Sequence, residues 1–277
     1  MRNAVQLNAK VKHLATEKGL THEVVLRNYM LERFLERISQ SKYRSHVILK
    51  GGMLISSMVG IETRTTMDLD ASLKGLTLSE SEIIPIIKDI IMIPLKDNVV
   101  FSYEGIQTIK ESGDYPGFRV NLTASLERTR QRLKIDIATG DTITPKEIKY
   151  DYPMMFEKRS IPIMAYNLET VLAEKYETVI SRSVLNTRMR DFYDIHILQK
   201  MMEINVDHFK KAFEETTIKR ETKKEDYNRK IILNTILISE DMKQSWAQYQ
   251  RKYEYAESVS WKSIVNALTG LEKMLVP

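Results

Sequence analysis

A short apolar run that ends at two glycines most constrains how this chain can fold. Val47-Ile48-Leu49 precedes Gly51-Gly52, and Met53-Leu54-Ile55 resumes the apolar pattern without a turn residue. This pattern predicts a strand, a tight turn and the start of a helix. Backbone N–H groups in such a turn can approach a phosphate closely, with the positive end of the helix dipole behind them. We therefore expect Gly51 and Gly52 to form a phosphate-binding turn.

Two aspartates one residue apart follow this turn, at positions 68 and 70. Alternate side chains of a strand point to the same face, and residues two apart lie roughly 6 to 7 Å from each other. Asp68 and Asp70 can therefore share one cation. An isolated D-x-D is common on solvated surfaces, and a lone glycine pair is usually only a turn. The order and spacing of the two motifs support a shared site. One helix and a short connection between them would leave the glycine pair and the D-x-D motif at the same edge of a small sheet.

Composition limits the chemistry of any metal site. The 277 residues are 43% hydrophobic, which is enough for one large domain or two small ones, and they include no cysteine. Disulfides, thiolate zinc sites and thiol nucleophiles are thereby excluded, and the five histidines show no metal-ligand spacing. Any metal should be a hard cation held by carboxylates, Mg²⁺ first. Without a long apolar run or a hydrophobic N-terminal stretch, we expect a cytoplasmic protein with no membrane partner.

The chain changes character near residue 165. Residues 1 to about 42 are predicted to be helical, with Thr21 as a cap, and the pattern from about 167 onward is almost wholly helical. Between them we expect a helix near 79–92, a turn at 113–117, and strands near 47–50, 67–73, 99–109, 117–126, 131–139 and 161–165. These patterns predict an α+β fold: a mixed sheet with flanking helices in domain 1–165, then a helical domain 166–277 that contributes to the active-site cleft.

A third carboxylate lies on one of the predicted strands. Alternation over residues 132–138 places three apolar side chains on one face and Asp136 on the other. Asp136 is then either an ordinary half-exposed strand aspartate or, beside Asp68 and Asp70, the third ligand of a metal site. Phosphoryl and nucleotidyl transfer often use such three-carboxylate sites.

Two consecutive helices of the C-terminal half carry charges within their apolar stripes. Lys175 falls in the stripe of a helix that Asn167 is expected to cap. A lysine there should either reach solvent or meet a carboxylate or a phosphate, because an uncompensated buried charge is costly. Asp191 and Asp194 share a face with apolar residues of the next helix, although acidic residues near a helix start are often caps or dipole partners. Opposite charges in two neighbouring stripes indicate a shared polar site.

The basic residues cluster in three places, within a net charge of +5. Charge runs usually form solvated faces, but clusters beside a candidate phosphate-transfer site favour a nucleic-acid substrate. The clusters are Arg119, Arg128, Arg130, Arg132 and Lys134; Arg182, Arg188 and Arg190; and Lys210, Lys211, Lys219, Arg220, Lys223, Lys224, Arg229 and Lys230.

Together these residues resemble the AbiEii/AbiGii family of abortive-infection toxins, proteins with a nucleotidyltransferase fold that are the toxins of type IV toxin–antitoxin pairs. The resemblance runs from about residue 22 to residue 200. The motifs that carry it are Gly51-Gly52, the lead-in Arg64-x-Thr66-x-Asp68 with Asp70, Glu174-Lys175, and D-x-x-D-x-x-x-L from Asp191 to Leu198.

The resemblance implies a nucleotidyltransferase that moves nucleotides from a nucleoside triphosphate to RNA. Related toxins modify the 3′ acceptor end of tRNA and so stop translation, in abortive infection as a phage defence. A cognate antitoxin is also implied, acting without a stable complex. Two other classes stay open: a non-catalytic module that binds nucleic acid, and an enzyme of the same fold that nucleotidylates protein.

We expect the site residues to divide into three groups. The triphosphate would be held by Gly51, Gly52, Ser56 or Ser57, Arg64 and Thr66. Magnesium would be bound by Asp68 and Asp70, with Asp136 as the third carboxylate. Lys175 would neutralise phosphate charge in the transition state, oriented by Asp191 or Asp194. The general base is one of Asp136, Asp191 and Asp194.

Overall fold

The computed structural model describes residues 3–76, 79–110, 116–222 and 228–276 of the chain. The chain divides into two compact units. Unit 1 comprises Met1–Asp141 and Glu147–Ala165, and unit 2 comprises Thr142–Lys146 and Tyr166–Pro277. Within the described ranges, no helix is both long enough and apolar enough to cross a membrane.

Unit 1 is built from one sheet with helices around it. Its helices are α1 (Ala4–Lys18), α2 (His22–Gln40), α3 (Gly51–Val59) and α4 (Glu80–Ile91). Its strands are β1 (Val47–Lys50), β2 (Leu69–Leu73), β3 (Val100–Lys110), β4 (Pro116–Leu126), β5 (Thr129–Thr139), β6 (Ile148–Pro153) and β7 (Ser160–Ala165). The order across the sheet is β3-β4-β5-β2-β1-β7-β6.

The sheet is mixed. Strands β2 and β5 run parallel, as do β1 and β7, whereas the other neighbouring pairs are antiparallel. A mixed sheet with flanking helices, followed by a helical second half, confirms the predicted α+β class. The pairing of β2 with β5 brings two distant stretches of sequence side by side near the middle of the sheet.

Strand β6 lies at one edge of the sheet and is a strand that the sequence pattern did not predict. Only Tyr152 is buried among its residues, so it lacks the apolar face by which strands are recognised. It ends at Pro153, which suits an edge position because proline cannot donate to a strand ladder. The turn predicted at 113–117 falls mostly on residues outside the described ranges, and β4 begins at Pro116.

The core of unit 1 lies between the sheet and α2. Thr21 caps this helix as predicted, because its hydroxyl accepts a hydrogen bond from Val24 N at 3.3 Å. The stripe residues Leu31, Leu35 and Ile38 are buried, and the helix packs against β5 and β7. The sheet is thereby covered on the side that α2 occupies, which fixes the strands that carry the candidate site.

Unit 2 is almost wholly helical in its described part, as predicted. Its helices are α5 (Leu168–Arg182), α6 (Met189–Met201), α7 (Val206–Lys219), α8 (Arg229–Ile238), α9 (Glu240–Lys252) and α10 (Trp261–Leu275). Asn167 caps α5, accepting a hydrogen bond from Thr170 N at 2.8 Å, which confirms the predicted cap. Lys223 and Lys224 of the third basic cluster lie outside the described residues.

Candidate active site

The glycine pair lies at the junction of β1 and α3. Strand β1 ends at Lys50 and helix α3 begins at Gly51, so the predicted strand, tight turn and helix start are confirmed. Gly51 has a φ of +66°, and a Cβ atom there would lie 2.0 Å from Oδ2 of Asp70. Glycine is required at this position both for its backbone conformation and for the close approach of the aspartate.

Gly52 is crowded by the residues that lead into the D-x-D motif. A Cβ atom on Gly52 would lie 2.6 Å from Oγ1 of Thr66 and 2.8 Å from Nη1 of Arg64. The Gly52 N–H donates a hydrogen bond to Oδ2 of Asp70 at 3.3 Å. The two glycines therefore allow the turn to lie directly against the segment that carries the carboxylates.

The lead-in residues hold the first carboxylate in place. Thr66 Oγ1 donates to the Asp68 carbonyl oxygen at 3.2 Å and lies 3.3 Å from Oδ1 of the same residue. Arg64 is 2% exposed, and its Nη1 donates to the Thr65 carbonyl at 2.5 Å. Both side chains also lie against the position that a Cβ atom of Gly52 would occupy. Their part in binding a triphosphate stays a prediction.

A row of four charged residues crosses the sheet beside this turn. Lys50 on β1 is directly opposite Asp70 on β2, and Asp70 is opposite Asp136 on β5. Asp136 is in turn opposite Arg119 on β4. Residues directly opposite each other lie on the same face of a sheet. Two carboxylates therefore sit side by side with one cationic side chain at each end, and we call these four residues the charged row.

Asp70 lies in the most negative part of the row. Burial, followed by the negative charge of Asp68, raises the pKa of the Asp70 carboxyl to about 6. Lys50 opposes this shift, and Asp136 adds to it. Burial and the neighbouring acids make the ionised form of Asp70 unfavourable. A nearby cation would stabilise this form, because its charge offsets the repulsion from those acids.

Asp136 is engaged by Arg119 through both of its oxygens. Arg119 Nε donates to Oδ1 at 2.7 Å and Nη2 donates to Oδ2 at 2.6 Å. The side chain of Asp136 is 9% exposed and that of Arg119 is 28% exposed. This bidentate geometry is the strongest arrangement that an arginine and a carboxylate can form. Asp136 is therefore buried and paired, and is not an ordinary half-exposed strand aspartate.

The donors at this site fit a magnesium ion through two of the three predicted carboxylates. Asp68 and Asp70 are half-buried and Asp70 lies against the glycine turn, and Mg²⁺ is commonly bound by one or two carboxylates together with water and substrate phosphates. Among the described residues, no group of three His, Cys, Asp or Glu side chains is arranged to hold a metal ion. The role of Asp136 as third ligand stays a prediction, and it requires Arg119 to release the carboxylate.

The two serines behind the glycines differ in their contacts. Ser57 Oγ donates to the Leu54 carbonyl at 2.7 Å and lies 3.0 Å from the Tyr150 hydroxyl. Ser56 is 5% exposed. Both hydroxyls lie within the first two turns of α3. Whether either contacts a triphosphate stays a prediction.

A second charged group forms within unit 2. Lys175 on α5 lies between two aspartates of α6, with its Nζ 2.7 Å from Oδ1 of Asp191 and 2.8 Å from Oδ2 of Asp194. Arg188 Nε lies 3.0 Å from the other Asp191 oxygen. The side chain of Asp194 is 0% exposed and that of Lys175 is 14% exposed. Lys175 therefore meets carboxylates and does not extend into solvent. Its catalytic role stays a prediction.

Lys50 and Arg119 are the residues beside the predicted site that sequence reasoning missed. Lys50 is 9% exposed, and its Nζ donates to Oδ2 of Asp141 at 2.8 Å. The position of Lys50 immediately before Gly51 indicates a charged partner, since a lysine at the end of a buried strand needs an anion. From the sequence, Arg119 is only a member of a basic cluster, because its pairing with Asp136 depends on the register of two strands.

Comparison with known proteins gives a family match over most of the chain. The family described as "Nucleotidyl transferase AbiEii toxin, Type IV TA system" matches residues 33–267. This range includes every residue of the charged row and of the Lys175 cluster, which comprises Lys175, Arg188, Asp191 and Asp194. No curated protein matches the chain.

Solved structures share the fold. A crystal structure of a candidate nucleotidyltransferase from Helicobacter pylori aligns with a TM-score of 0.51 at 16% identity, covering 92% of this chain and 97% of that one. The crystal structure of JHP933 from Helicobacter pylori aligns with the same TM-score and identity, covering 92% of this chain and 94% of that one. At this identity, the likeness concerns the fold alone.

Proposed function

Because this chain belongs to the AbiEii family of nucleotidyl transferase toxins of type IV toxin–antitoxin systems, we propose that it transfers a nucleotide from a nucleoside triphosphate to RNA in a magnesium-dependent reaction. The proposed acceptor is the 3′ end of tRNA, whose modification blocks charging and therefore translation. The observation that best supports the proposal is the contact between the Asp70 carboxylate and the turn at Gly51 and Gly52. It puts a carboxylate, the kind of group that Mg²⁺ prefers, beside a candidate phosphate-binding backbone.

In this proposal, unit 1 binds the triphosphate and the metal. Gly51 and Gly52 begin α3, where the backbone N–H groups and the helix dipole favour an anion. Asp68 and Asp70 hold Mg²⁺. The chemistry that the ion supplies is neutralisation of charge on the transferred phosphate and on the leaving pyrophosphate. Asp70 has a second task, because its contact with Gly52 orients the turn.

Supporting residues shape the same turn. Arg64 and Thr66 lie against Gly52, and we propose that they fix the position of the triphosphate from beneath. Ser56 or Ser57 would add a hydroxyl to the same group of donors. Arg64 is the strongest candidate among these, since a guanidinium matches the geometry of a phosphate.

Lys175 is proposed to neutralise phosphate charge that develops in the transition state. Asp191 and Asp194 lie 2.7 and 2.8 Å from its Nζ and would orient it. Complete burial of the Asp194 side chain favours this positioning role over direct proton transfer. The general base that takes the proton of the RNA hydroxyl is then Asp136 or Asp191.

The proposed partners are RNA and an antitoxin. Membership of a type IV family implies a cognate antitoxin, and we propose that it counteracts the toxin without a stable complex, in the cytoplasm, as part of an abortive response to phage. Arg182 and Lys211 are exposed and available to contact RNA phosphates. Arg188 is also exposed, but its Nε pairs with Asp191 at 3.0 Å. Arg220 is a weaker candidate, because it bonds Glu177 and the Thr178 hydroxyl.

The test is to incubate the purified protein and Mg²⁺ with total RNA and, separately, with total protein. Each reaction receives one of the four α-labelled nucleoside triphosphates. Label in the tRNA band with one or two nucleotides is the expected result. Label in protein but not in RNA would favour the enzyme that nucleotidylates protein, and RNA binding without any label would favour the non-catalytic module. Either outcome would contradict transfer to RNA.

A further inference from the structure

The charged row contains one contact that the proposed reaction does not use. Arg119 donates hydrogen bonds to both oxygens of Asp136 in a bidentate pair. Asp136 nevertheless lies directly beside Asp70 in the sheet. A carboxylate in that position is the natural third ligand for a cation on Asp68 and Asp70. It is occupied by a guanidinium instead.

The ion pair between Arg119 and Asp136 is stable in the substrate-free protein. Hydrogen bonding to Asp136, followed by the charges of Asp136, Asp68 and Asp70, raises the pKa of Arg119, so the guanidinium keeps its charge at every working pH. Asp136 is 7% exposed, and water therefore competes poorly for its oxygens. The side chain of Arg119 is 28% exposed, so the arginine is the partner that an incoming ligand can reach.

We propose that Arg119 is a positioning residue that withholds Asp136 from the metal in the substrate-free protein, and that yields it when a substrate phosphate binds the guanidinium. This inference rests on the proposed function, which brings a triphosphate and an RNA backbone to the charged row. Phosphate and carboxylate bind the same donor fork of an arginine, so a phosphate can replace Asp136. The third carboxylate then joins the site only when substrate is present.

Two features of the row make the exchange possible. Arg119 lies at the outer end of the row, on β4, so its release leaves the β5 backbone pairing unchanged. The released Asp136 faces Asp70 across a single strand spacing. Two carboxylates in that position repel each other unless a cation lies between or beside them. Loss of Arg119 therefore strengthens cation binding at the same place.

The test measures dissociation constants for Mn²⁺, used as the probe ion, by electron paramagnetic resonance. The variants are D136N, R119M, the double variant R119M/D136N, and D68N. Each is measured with Mn²⁺ alone and with the Mn²⁺ complexes of the four α,β-methylene nucleoside triphosphates. K134M is the matched control, because Lys134 is an exposed cation on the same strand and face as Asp136.

With Mn²⁺ alone, we expect D136N to leave the dissociation constant unchanged and R119M to lower it by about tenfold. The double variant should return to the wild-type value, and K134M should change little. With the methylene triphosphate complexes, D136N should weaken binding by about tenfold in the wild-type background. If R119M does not fold, R119K should give a smaller gain in the same direction, since lysine keeps the charge but lacks the bidentate fork.

Weaker Mn²⁺ binding in D136N without nucleotide would overturn the inference, because Asp136 would then be a resident ligand. It would also be overturned if R119M and R119K fail to tighten binding, or if D136N has no effect with any of the four complexes. A D68N variant that binds Mn²⁺ as the wild type does would instead contradict the proposed function and the inference together.

Discussion

Asp70 on β2 lies directly opposite Asp136 on β5, in the register of two parallel strands. Like charges in such positions repel each other and destabilise a sheet unless cations compensate them. Lys50 and Arg119 occupy the next positions outward. Arg119 pairs directly with Asp136, whereas Lys50 acts on Asp70 through its charge and bonds Asp141. Asp68, two residues before Asp70, adds a negative charge that the row does not balance. The arrangement therefore favours a bound cation at Asp68 and Asp70.

In the metal-free protein, the stability that protonated Asp70 contributes should be lost as the pH rises through about 6. The pKa of Asp70 is raised to about 6 in the folded protein, so the protonated carboxyl favours folding at low pH and this contribution is lost as Asp70 ionises. D70N should be more stable than the wild type at pH 7.5 by on the order of 2 kcal/mol, with little difference at pH 4. Urea unfolding in EDTA at both pH values measures this.

The control for that prediction is D151N, which changes an exposed aspartate on the edge strand β6. It should follow the wild type at both pH values. Equal pH dependence in D70N and the wild type would contradict the assigned burial of Asp70.

Alanine at Gly51 should damage the site more than alanine at Gly75. Both glycines have a positive φ, of +66° and +70°, so the backbone strain is matched at on the order of 1 kcal/mol. A Cβ at Gly51 meets Asp70 at 2.0 Å, whereas the nearest atom to a Cβ at Gly75 lies at 3.8 Å. G51A should therefore lower the melting temperature further than G75A and weaken Mn²⁺ binding, which G75A should leave intact. Similar Mn²⁺ affinities in the two variants would show that the turn does not position Asp70.

Methionine at Lys50 should raise the KM for the nucleoside triphosphate. Lys50 faces Asp70 and precedes the glycine turn, so its removal leaves the turn more negative and should weaken the binding of a triphosphate there by on the order of tenfold. K74M is the control, since Lys74 makes a similar pair with Glu147 at 2.6 and 2.7 Å at the far end of β2. Steady-state kinetics should give a raised KM in K50M and a near wild-type value in K74M. Equal values in both variants would remove Lys50 from the site.

Methionine at Lys175 should destabilise the protein as well as inactivate it. It leaves two aspartates without their shared cation, one of them with no exposed surface, and breaking a buried pair in this way costs about 3–5 kcal/mol. The double variant K175M/D194L should recover much of that loss, because the fully buried charge is removed too. Urea unfolding of both variants measures the difference. A K175M protein as stable as the wild type would show that the pair does not contribute to the fold.

Local sequence patterns were enough for much of unit 1 and for the capped helix α5. The glycine turn, the D-x-D motif and the Asn167 cap each depend on a few neighbouring residues, so a short stretch of sequence is enough to predict them. Strand β6 was missed because its residues are mostly exposed and give no apolar face.

The charged row was not predictable in the same way. That Asp70 faces Asp136 depends on the parallel pairing of β2 with β5, and that Arg119 closes Asp136 depends on the β4 register. Both are set by the assembled sheet. The Lys175 cluster was easier to predict from the sequence. A charge within an apolar helical stripe needs a partner of opposite charge, and the next helix carries two aspartates.

Incorporation of label from an α-labelled nucleoside triphosphate into purified tRNA, in Mg²⁺, by the wild type, D68N and D151N tests the central claim most directly. Asp68 is the carboxylate that Thr66 contacts beside the glycine turn, and D151N changes an exposed aspartate outside the site. We predict that the wild type and D151N label tRNA and inhibit growth, and that D68N does neither while remaining folded. Growth inhibition or labelling by D68N at the wild-type level would contradict the account.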